Sequence, residues 1–182
     1  MGLANQMKKD YGTILQTLQR FKVEIPPIPA ELKALSIEGE SYAIAYPIQG
    51  ILKYHGLADY EHRIANFPSI SLNNSSAYTL SYVKFDQTFD DDLVVLNGEV
   101  VPKQSQEFGR VRHQLNNIRR YAQVETKAIV ISRNLFTDTN EIALGKGLGT
   151  SASGGAAISH AAISILYRGN DYYADNPTLR SL

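Results

Sequence analysis

Residues 145–155 read GKGLGTSASGG, and small and apolar residues in a pattern typical of a helix follow directly, from Ala156 to Tyr167. Gly147 and Gly149 can adopt positive φ angles and allow the backbone to approach a ligand closely. The first amides of a helix have no intrahelical partner, and together with the helix dipole they favour an anion. The stretch therefore predicts a phosphate-binding loop that opens a helix.

The backbone amides, hydroxyl groups and lysine of this loop are the candidate phosphate ligands. They belong to Lys146, Gly147, Leu148, Gly149, Thr150, Ser151, Ala152 and Ser153. The alternative interpretation is a glycine-serine turn that only caps an ordinary helix. Because three hydroxyls, a lysine and an Ala-rich helix occur together, we favour phosphate binding.

The loop differs from two common nucleotide-binding motifs. A Walker loop needs Ser or Thr directly after its lysine, but Gly147 follows Lys146 here. A Rossmann fingerprint has the pattern Gly-x-Gly-x-x-Gly. Gly147 and Gly149 could be its first two glycines, but the third glycine is missing after Ser151. The sequence GLGTSA at residues 147–152 does resemble the glycine-rich loop of the GHMP small-molecule kinases, whose motif contains Gly-Leu-Gly/Ala-Ser-Ser-Ala.

Length and composition indicate an ordinary globular protein. The chain has 182 residues, of which 43% are hydrophobic and 20% charged, and its formal net charge is zero. This balance argues against electrostatic binding to nucleic acid or to an anionic membrane. The absence of cysteine excludes disulfides and thiolate ligands for zinc. Because no apolar run has the length of a membrane span and the N-terminus lacks a signal pattern, we expect a cytoplasmic protein.

The order of the predicted elements indicates an α+β fold. Strands are predicted within residues 41–54 and at 69–72, 77–85, 93–96 and 127–132, and helices within 5–21, 104–122 and 156–167. We divide the chain into an N-terminal helix with a Pro-rich linker (residues 1–40) and one domain (residues 41–182). Since Pro177 suits the first turn of a further helix, we expect the domain to be incomplete at its C-terminal end and a C-terminal half of the protein to be missing.

Several segments in the same order resemble diphosphomevalonate decarboxylases, which belong to the GHMP kinase superfamily. AYPIQGILKYHG at residues 45–56 looks like their Ala-x-x-Asn-Ile-Ala-x-x-Lys-Tyr-Trp-Gly-Lys segment, and PSIS at 68–71 is similar to their Ser-x-Ser strand. LNGE at 96–99 resembles their Leu-Asn-Gly hairpin, and residues 112–120 lie where they have a basic helix. ISRNLF at 131–136 resembles their Ser-x-Asn-Asn-Phe-Pro-Thr segment, which leads into the glycine loop.

This resemblance implies both a fold and an activity. The fold is the N-terminal domain of GHMP kinases, which is similar to domain 2 of ribosomal protein S5. The activity is that of a mevalonate-pathway decarboxylase, a carboxy-lyase that uses ATP and Mg²⁺ to phosphorylate a phosphorylated mevalonate and then releases CO₂. The family includes relatives specific for the 5-phosphate and for the 3,5-bisphosphate, and the latter substrate makes ATP dispensable. A homodimer is also implied.

The resemblance further implies which residues form the site. Lys53 would be the catalytic residue that pairs with the acid or phosphate of the substrate, and Tyr54, His55 and Ser69 would bind substrate beside it. Ser132 and Asn134 would join the glycine loop in binding ATP. We predict no metal-ligating side chains, because the four histidines lack a paired spacing and Asp90 to Asp92 are typical of a solvated turn. The catalytic acid of the family has no counterpart in this chain.

Two departures from the family pattern concern the substrate. Leu57 replaces the second lysine of the family, and a basic residue that follows the Ser-x-Ser strand is replaced near Tyr78. We therefore expect a preference for mevalonate 5-phosphate or 3,5-bisphosphate over the 5-diphosphate. A GHMP kinase without decarboxylase activity and a non-catalytic GHMP-like module remain as alternatives.

Overall fold

The computed structural model describes residues 12–13, 16–17, 19–22, 33–52, 57–59, 64–65, 70–143 and 149–167. These residues fall into two compact units, one drawn from residues 1–28 and 50–71 and the other from residues 29–49 and 72–182. Among the described residues, no helix is long and apolar enough to cross a membrane.

The described elements are strands and two long helices, with eight strands before the first of these helices and one strand between the two. The strands are β1 (Gly39–Ala45), β2 (Ile48–Leu52), β3 (Leu57–Asp59), β4 (Ile64–Ala65), β5 (Ile70–Asn73), β6 (Ala77–Asp86), β7 (Leu93–Leu96), β8 (Glu99–Val100) and β9 (Lys127–Phe136). The helices are α1 (Gln106–Ala122) and α2 (Thr150–Leu166). The mixture of helices and strands agrees with the α+β class expected from the sequence.

The first unit contains helical residues and a short strand pair. The described residues between 12 and 20 are helical, in agreement with the helix predicted for residues 5–21. This helix ends where Lys22 adopts a positive φ of 56° and donates its N–H to Gln19 O at 2.9 Å. β3 and β4 pair in antiparallel fashion.

The second unit is built on a five-stranded sheet with the order β1-β6-β9-β7-β8. Its neighbours are antiparallel except for β7 and β9, which run parallel. β7 and β8 form the hairpin that Asn97-Gly98 predicts, with positive φ angles of 51° and 92° at these two residues. β2 and β5 form a separate two-stranded sheet.

The core of the second unit lies between one face of this sheet and the two helices. Residues of β6 alternate between buried and half-buried, so that one face of the strand is turned inward. The buried side chains that pack together include Val83, Phe85, Val94 and Val130 of the sheet, Phe108, Val111 and Leu115 of α1, and Ile158, Ala161, Ala162 and Leu166 of α2. The alanines of α2 allow its axis to lie close to the sheet, because they project little beyond the backbone.

Several element boundaries differ from the sequence prediction, among them the end of β9, which runs to Phe136 although the strand is predicted to end at Ser132. The strand predicted within residues 41–54 is divided into β1 and β2, because Pro47 cannot donate a ladder hydrogen bond. The carbonyl of Pro47 instead accepts a hydrogen bond from Asn74 N at 2.7 Å. The second helix begins at Thr150 rather than at Ala156, so the Thr-Ser-Ala-Ser-Gly-Gly segment is its first turn and a half rather than a loop.

A buried ion pair joins α1 to the start of β7. Arg119 donates to both carboxylate oxygens of Asp92 at 2.9 and 2.5 Å, and to Thr126 O at 2.9 Å. Asp92 also accepts a hydrogen bond from Ala128 N at 2.9 Å, and both side chains are almost fully buried. The interpretation of Asp90 to Asp92 as a solvated turn is therefore wrong for Asp92, whose carboxylate is needed to balance Arg119.

We expect Asp92→Asn to lower the free energy of unfolding by about 3–5 kcal/mol, because it leaves the buried Arg119 guanidinium without a counter-charge. Asp91→Asn is the matched control, since Asp91 pairs with the exposed Lys103 and such pairs contribute about 0–1 kcal/mol. Urea unfolding of both variants measures the difference. Equal losses in the two variants would contradict a special role for the buried pair.

Candidate functional site

A pocket of about 230 Å³ opens between the N-terminal half of α2, helix α1 and the strand ends of β7 and β9. The strands contribute Leu96, Asn97, Ser132 and Asn134, α1 contributes Glu107, Arg110, Val111 and Gln114, and α2 contributes Thr150, Ser151, Gly154, Gly155 and Ile158. Four residues that the sequence analysis assigns to ATP binding thus line one pocket. They are Ser132, Asn134, Thr150 and Ser151.

The N-terminus of α2 lies at this pocket. Gly149 is its N-cap residue, and within the described part of the chain no side chain donates or accepts a capping hydrogen bond there. Thr150 is half-buried and Ser151 is exposed. Both residues belong to the first turn of α2, so their hydroxyls lie near the first amides of the helix. Ala152 is exposed and donates its N–H to Gly149 O at 3.2 Å. An uncapped helix start with two hydroxyls is suited to binding a phosphate.

Gly149 is required by the fold itself. Its φ is +74°, and a Cβ built on it would lie 2.5 Å from the carbonyl oxygen of Ile48. The sequence analysis attributes this glycine to close approach of a ligand, whereas the structure reveals a close approach to the first residue of β2. Any side chain at position 149 would therefore disturb the start of α2 whether or not a ligand binds.

Ser153 turns toward the sheet rather than toward solvent. Its side chain is buried, with its hydroxyl 2.6 Å from Thr79 Oγ1 and 3.1 Å from Thr150 O. Thr79 in turn donates to Asn134 Oδ1 at 2.8 Å. This chain of hydrogen bonds links the first turn of α2 to β6 and β9. The hydroxyl of Ser153 thus helps to hold the first turn of α2 against the sheet.

A second set of polar contacts holds the strand ends of the pocket. Ser132 Oγ lies 2.8 Å from the buried Ser81 Oγ, and the carbonyl of Ser132 accepts a hydrogen bond from Asn97 N at 2.8 Å. Asn97 Oδ1 accepts a hydrogen bond from Asn134 N at 2.9 Å. Asn97 therefore fixes the β7–β8 turn against β9 at the edge of the pocket.

A sequence profile of the diphosphomevalonate decarboxylase-like N-terminal domain matches residues 45–174. The chain belongs to this family. The relationship inferred from the ordered segments between residues 45 and 152 is thereby confirmed.

Curated relatives include two kinds of decarboxylase. Phosphomevalonate decarboxylase of Haloferax volcanii is 34% identical over 119 residues, which are 65% of this chain and 34% of that protein. Mevalonate 3,5-bisphosphate decarboxylase of Thermoplasma volcanium is 27% identical over 127 residues, which are 70% of this chain and 32% of that protein. The chain thus spans about a third of the length of the curated relatives it matches.

Solved structures confirm the fold. Mevalonate diphosphate decarboxylase of Enterococcus faecalis has a TM-score of 0.61 and 30% identity, over 71% of this chain and 37% of that one. The enzyme of Staphylococcus aureus has a TM-score of 0.63 and 25% identity, over 80% of this chain and 44% of that one. The chain therefore has the α+β fold of GHMP-kinase type that the sequence predicts.

The remaining predicted site residues of this family member are outside the described residues. They are Lys53, Tyr54, His55, Ser69, Lys146, Gly147 and Leu148. Their roles stay predictions.

The sequence analysis missed the contribution of α1 to the pocket. Glu107, Arg110 and Gln114 line it from this helix. Gln114 also donates through Nε2 to Gly155 O at 2.5 Å and to Ser159 Oγ. The sequence did contain an indication of this, because Glu107, Arg110 and Gln114 have the i, i+3, i+7 spacing that places side chains on one helix face.

The two glycines Gly149 and Gly154 give a test of the structural role of position 149. We expect Gly149→Ala to lower the free energy of unfolding by at least about 1–2 kcal/mol, since it forces a left-handed φ on alanine besides the contact with Ile48 O. Gly154→Ala, at a helical position, should raise that free energy by about 0.5–1 kcal/mol. Denaturant unfolding measures both, and a neutral Gly149→Ala variant would contradict the close approach.

Proposed function

We propose that the pocket binds ATP, with the phosphates at the N-terminus of α2. The observation that carries this proposal is that Ser132, Asn134, Thr150 and Ser151 line one pocket, at a helix start that no side chain of the described residues caps. The helix amides and dipole favour the anionic phosphates, and Arg110 adds a cation on the α1 side. Leu96, Val111 and Ile158 supply the apolar surface that a nucleobase requires.

We also propose that Mg²⁺ accompanies the nucleotide at this pocket, in contrast to the expectation from the sequence that no side chain ligates a metal. Thr150, Ser151 and Glu107 provide hydroxyl and carboxylate oxygens, which are the ligands that Mg²⁺ prefers. Bound Mg²⁺ would neutralise charge on the phosphates during transfer. A solved structure of a related decarboxylase with a TM-score of 0.61 contains MVAPP, AMPPCP and magnesium, which supports the use of an ATP–Mg²⁺ complex by this chain.

We propose that the whole protein is a mevalonate-pathway decarboxylase acting on a phosphorylated mevalonate. ATP would phosphorylate the 3-hydroxyl, and loss of that phosphate would accompany departure of the carboxylate as CO₂. Catalysis of phosphoryl transfer depends mostly on positioning and electrostatics, which are the tasks of Lys53 and of the loop around Lys146 in this proposal. Tyr54, His55 and Ser69 would contact the substrate, while residues 147 and 148 would bind phosphate through their amides.

The preferred substrate in this proposal is mevalonate 5-phosphate or the 3,5-bisphosphate. The names of the Haloferax and Thermoplasma relatives support this preference. Tyr78 supports it as well, since its hydroxyl donates to Asn140 Oδ1 at 2.8 Å and brings no positive charge. Asn140 belongs to the turn that folds back along β9, where Ala143 N donates to Asn134 O at 2.8 Å. With Leu57 uncharged too, fewer cations are available for a diphosphate.

We further propose that the protein works in the cytoplasm as a homodimer. The lack of cysteine supports a reducing compartment. Tyr42 and Ile44 on the outer face of β1 are 73% and 51% exposed, and apolar exposure of this kind is typical of a protein interface.

Gly154 offers a direct test of nucleotide binding. Outside its neighbours and its own helix backbone, no described heavy atom lies within 4 Å of a Cβ built on Gly154, and the same holds for the exposed Gly109 of α1. Gly154→Leu should therefore fold and fill the pocket, with at least a tenfold loss of ATP affinity, about 1.4 kcal/mol. Gly109→Leu is the matched control and should bind ATP as the wild type does. Calorimetric titration measures both, and unchanged affinity in folded Gly154→Leu would exclude the pocket as the ATP site.

The substrate proposal is tested on the full-length protein. We expect kcat/KM to be at least about tenfold higher for mevalonate 5-phosphate or the 3,5-bisphosphate than for the 5-diphosphate, because an uncompensated phosphate in a partly dry site costs more than 1.4 kcal/mol. Release of CO₂ should be measured for all three substrates with and without ATP. Formation of ADP without CO₂ would instead indicate a GHMP kinase, and a preference for the 5-diphosphate would contradict the substrate proposal.

A further inference from the structure

The side chain of Gln114 bridges the two helices at the wall of the pocket. From its half-buried position on α1, its Nε2 donates to Gly155 O at 2.5 Å and to Ser159 Oγ, both of which belong to α2. A Cβ built on Gly155 would lie 3.7 Å from both Nε2 and Oε1 of Gln114. The carboxamide therefore lies in contact distance over the backbone of Gly155, and both residues line the pocket.

These contacts fix the orientation of the carboxamide. An amide nitrogen carries two protons, and both are used on α2. The reversed orientation would place Oε1 against the carbonyl oxygen of Gly155, and two acceptors in that position repel each other. Gln114 consequently presents an acceptor rather than a donor to whatever occupies the pocket.

We infer that Gln114 selects the base of the bound nucleotide through Oε1. This oxygen accepts a hydrogen bond from the 6-amino group of adenine, whereas the 6-oxo group of hypoxanthine or guanine meets it acceptor to acceptor. The inference rests on the proposed binding of a nucleotide in this pocket. Gly155 is five residues beyond Thr150, about 7.5 Å along the helix axis, which is a span that a ribose can bridge between the phosphates and the base.

The test compares ATP with ITP, in which a 6-oxo group replaces the 6-amino group and N1 carries a proton. We expect wild-type protein to bind ATP at least about tenfold more tightly than ITP, because the oxo group leaves Oε1 of the half-buried Gln114 without a donor. Gln114→Met keeps the length of the side chain without its polar atoms and should bind the two nucleotides within about threefold of each other. Dissociation constants from calorimetric titration give the ratio, which a purely structural role of Gln114 would not change.

Several results would overturn the inference. Equal wild-type affinities for ATP and ITP, or an unchanged ratio in folded Gln114→Met, would do so and would leave nucleotide binding itself intact. If Glu107→Ala lost the preference for ATP over ITP while Gln114→Met kept it, the acceptor of the 6-amino group would be Glu107 rather than Gln114. Binding of neither nucleotide by the wild type would overturn the proposed binding of ATP in this pocket as well.

A further ligand keeps the test decisive if Gln114→Met does not fold. The amine of 6-dimethylamino-ATP carries no proton, so wild-type protein should bind it at least about tenfold more weakly than ATP. Binding equal to that of ATP would overturn the inference.

Discussion

The close approach of Gly149 to Ile48 is the constraint on which the site depends. A Cβ at position 149 would lie 2.5 Å from the Ile48 carbonyl oxygen, so only a glycine with its φ of +74° can start α2 at this point. This contact fixes where the first turn of α2 begins relative to β2. The hydroxyls of Thr150 and Ser151 and the adjoining amides are consequently delivered to one side of the pocket.

Buried hydroxyl groups hold that first turn against the sheet. Thr79 and Ser153 are almost fully buried, and their contact of 2.6 Å connects β6 to α2. Ser81 and Ser132 form a contact of 2.8 Å that joins β6 to β9 within the sheet. A hydroxyl pair contributes little more to stability than the apolar pair it replaces, because each polar group must first lose its water. A hydrogen bond between hydroxyls is directional, however, so it fixes the positions of the turn and of Asn134 more closely than apolar packing does.

The sequence was sufficient to predict the α+β fold and part of the site, and packing explains the rest. GLGTSA predicts a loop that leads into a helix, and Asn97-Gly98 predicts a hairpin, because each motif acts through local backbone geometry. The start of α2 at Thr150 was missed, since serine and glycine are poor helix formers and tertiary contacts override their propensity. The inward direction of Ser153 and the participation of Gln114 depend on the rotation of both helices, which periodicity alone does not determine. Arg119 and Asp92 are 27 residues apart, so only the folded chain reveals their pairing.

Gly149 and Gly154, at the start and in the first turns of α2, have different surroundings. Gly149 has a packing reason, because a side chain there would meet Ile48, whereas a Cβ on Gly154 would meet open space beside the pocket. A glycine within a helix lowers the free energy of unfolding by about 0.5–1 kcal/mol relative to alanine, so alanine at position 154 would give a more stable fold. A residue that weakens its helix without improving the packing is expected at functional sites. Gly109 of α1 also lacks a packing reason, but of the two glycines only Gly154 lines the pocket, so the ligand proposed for this pocket would account for a glycine at position 154.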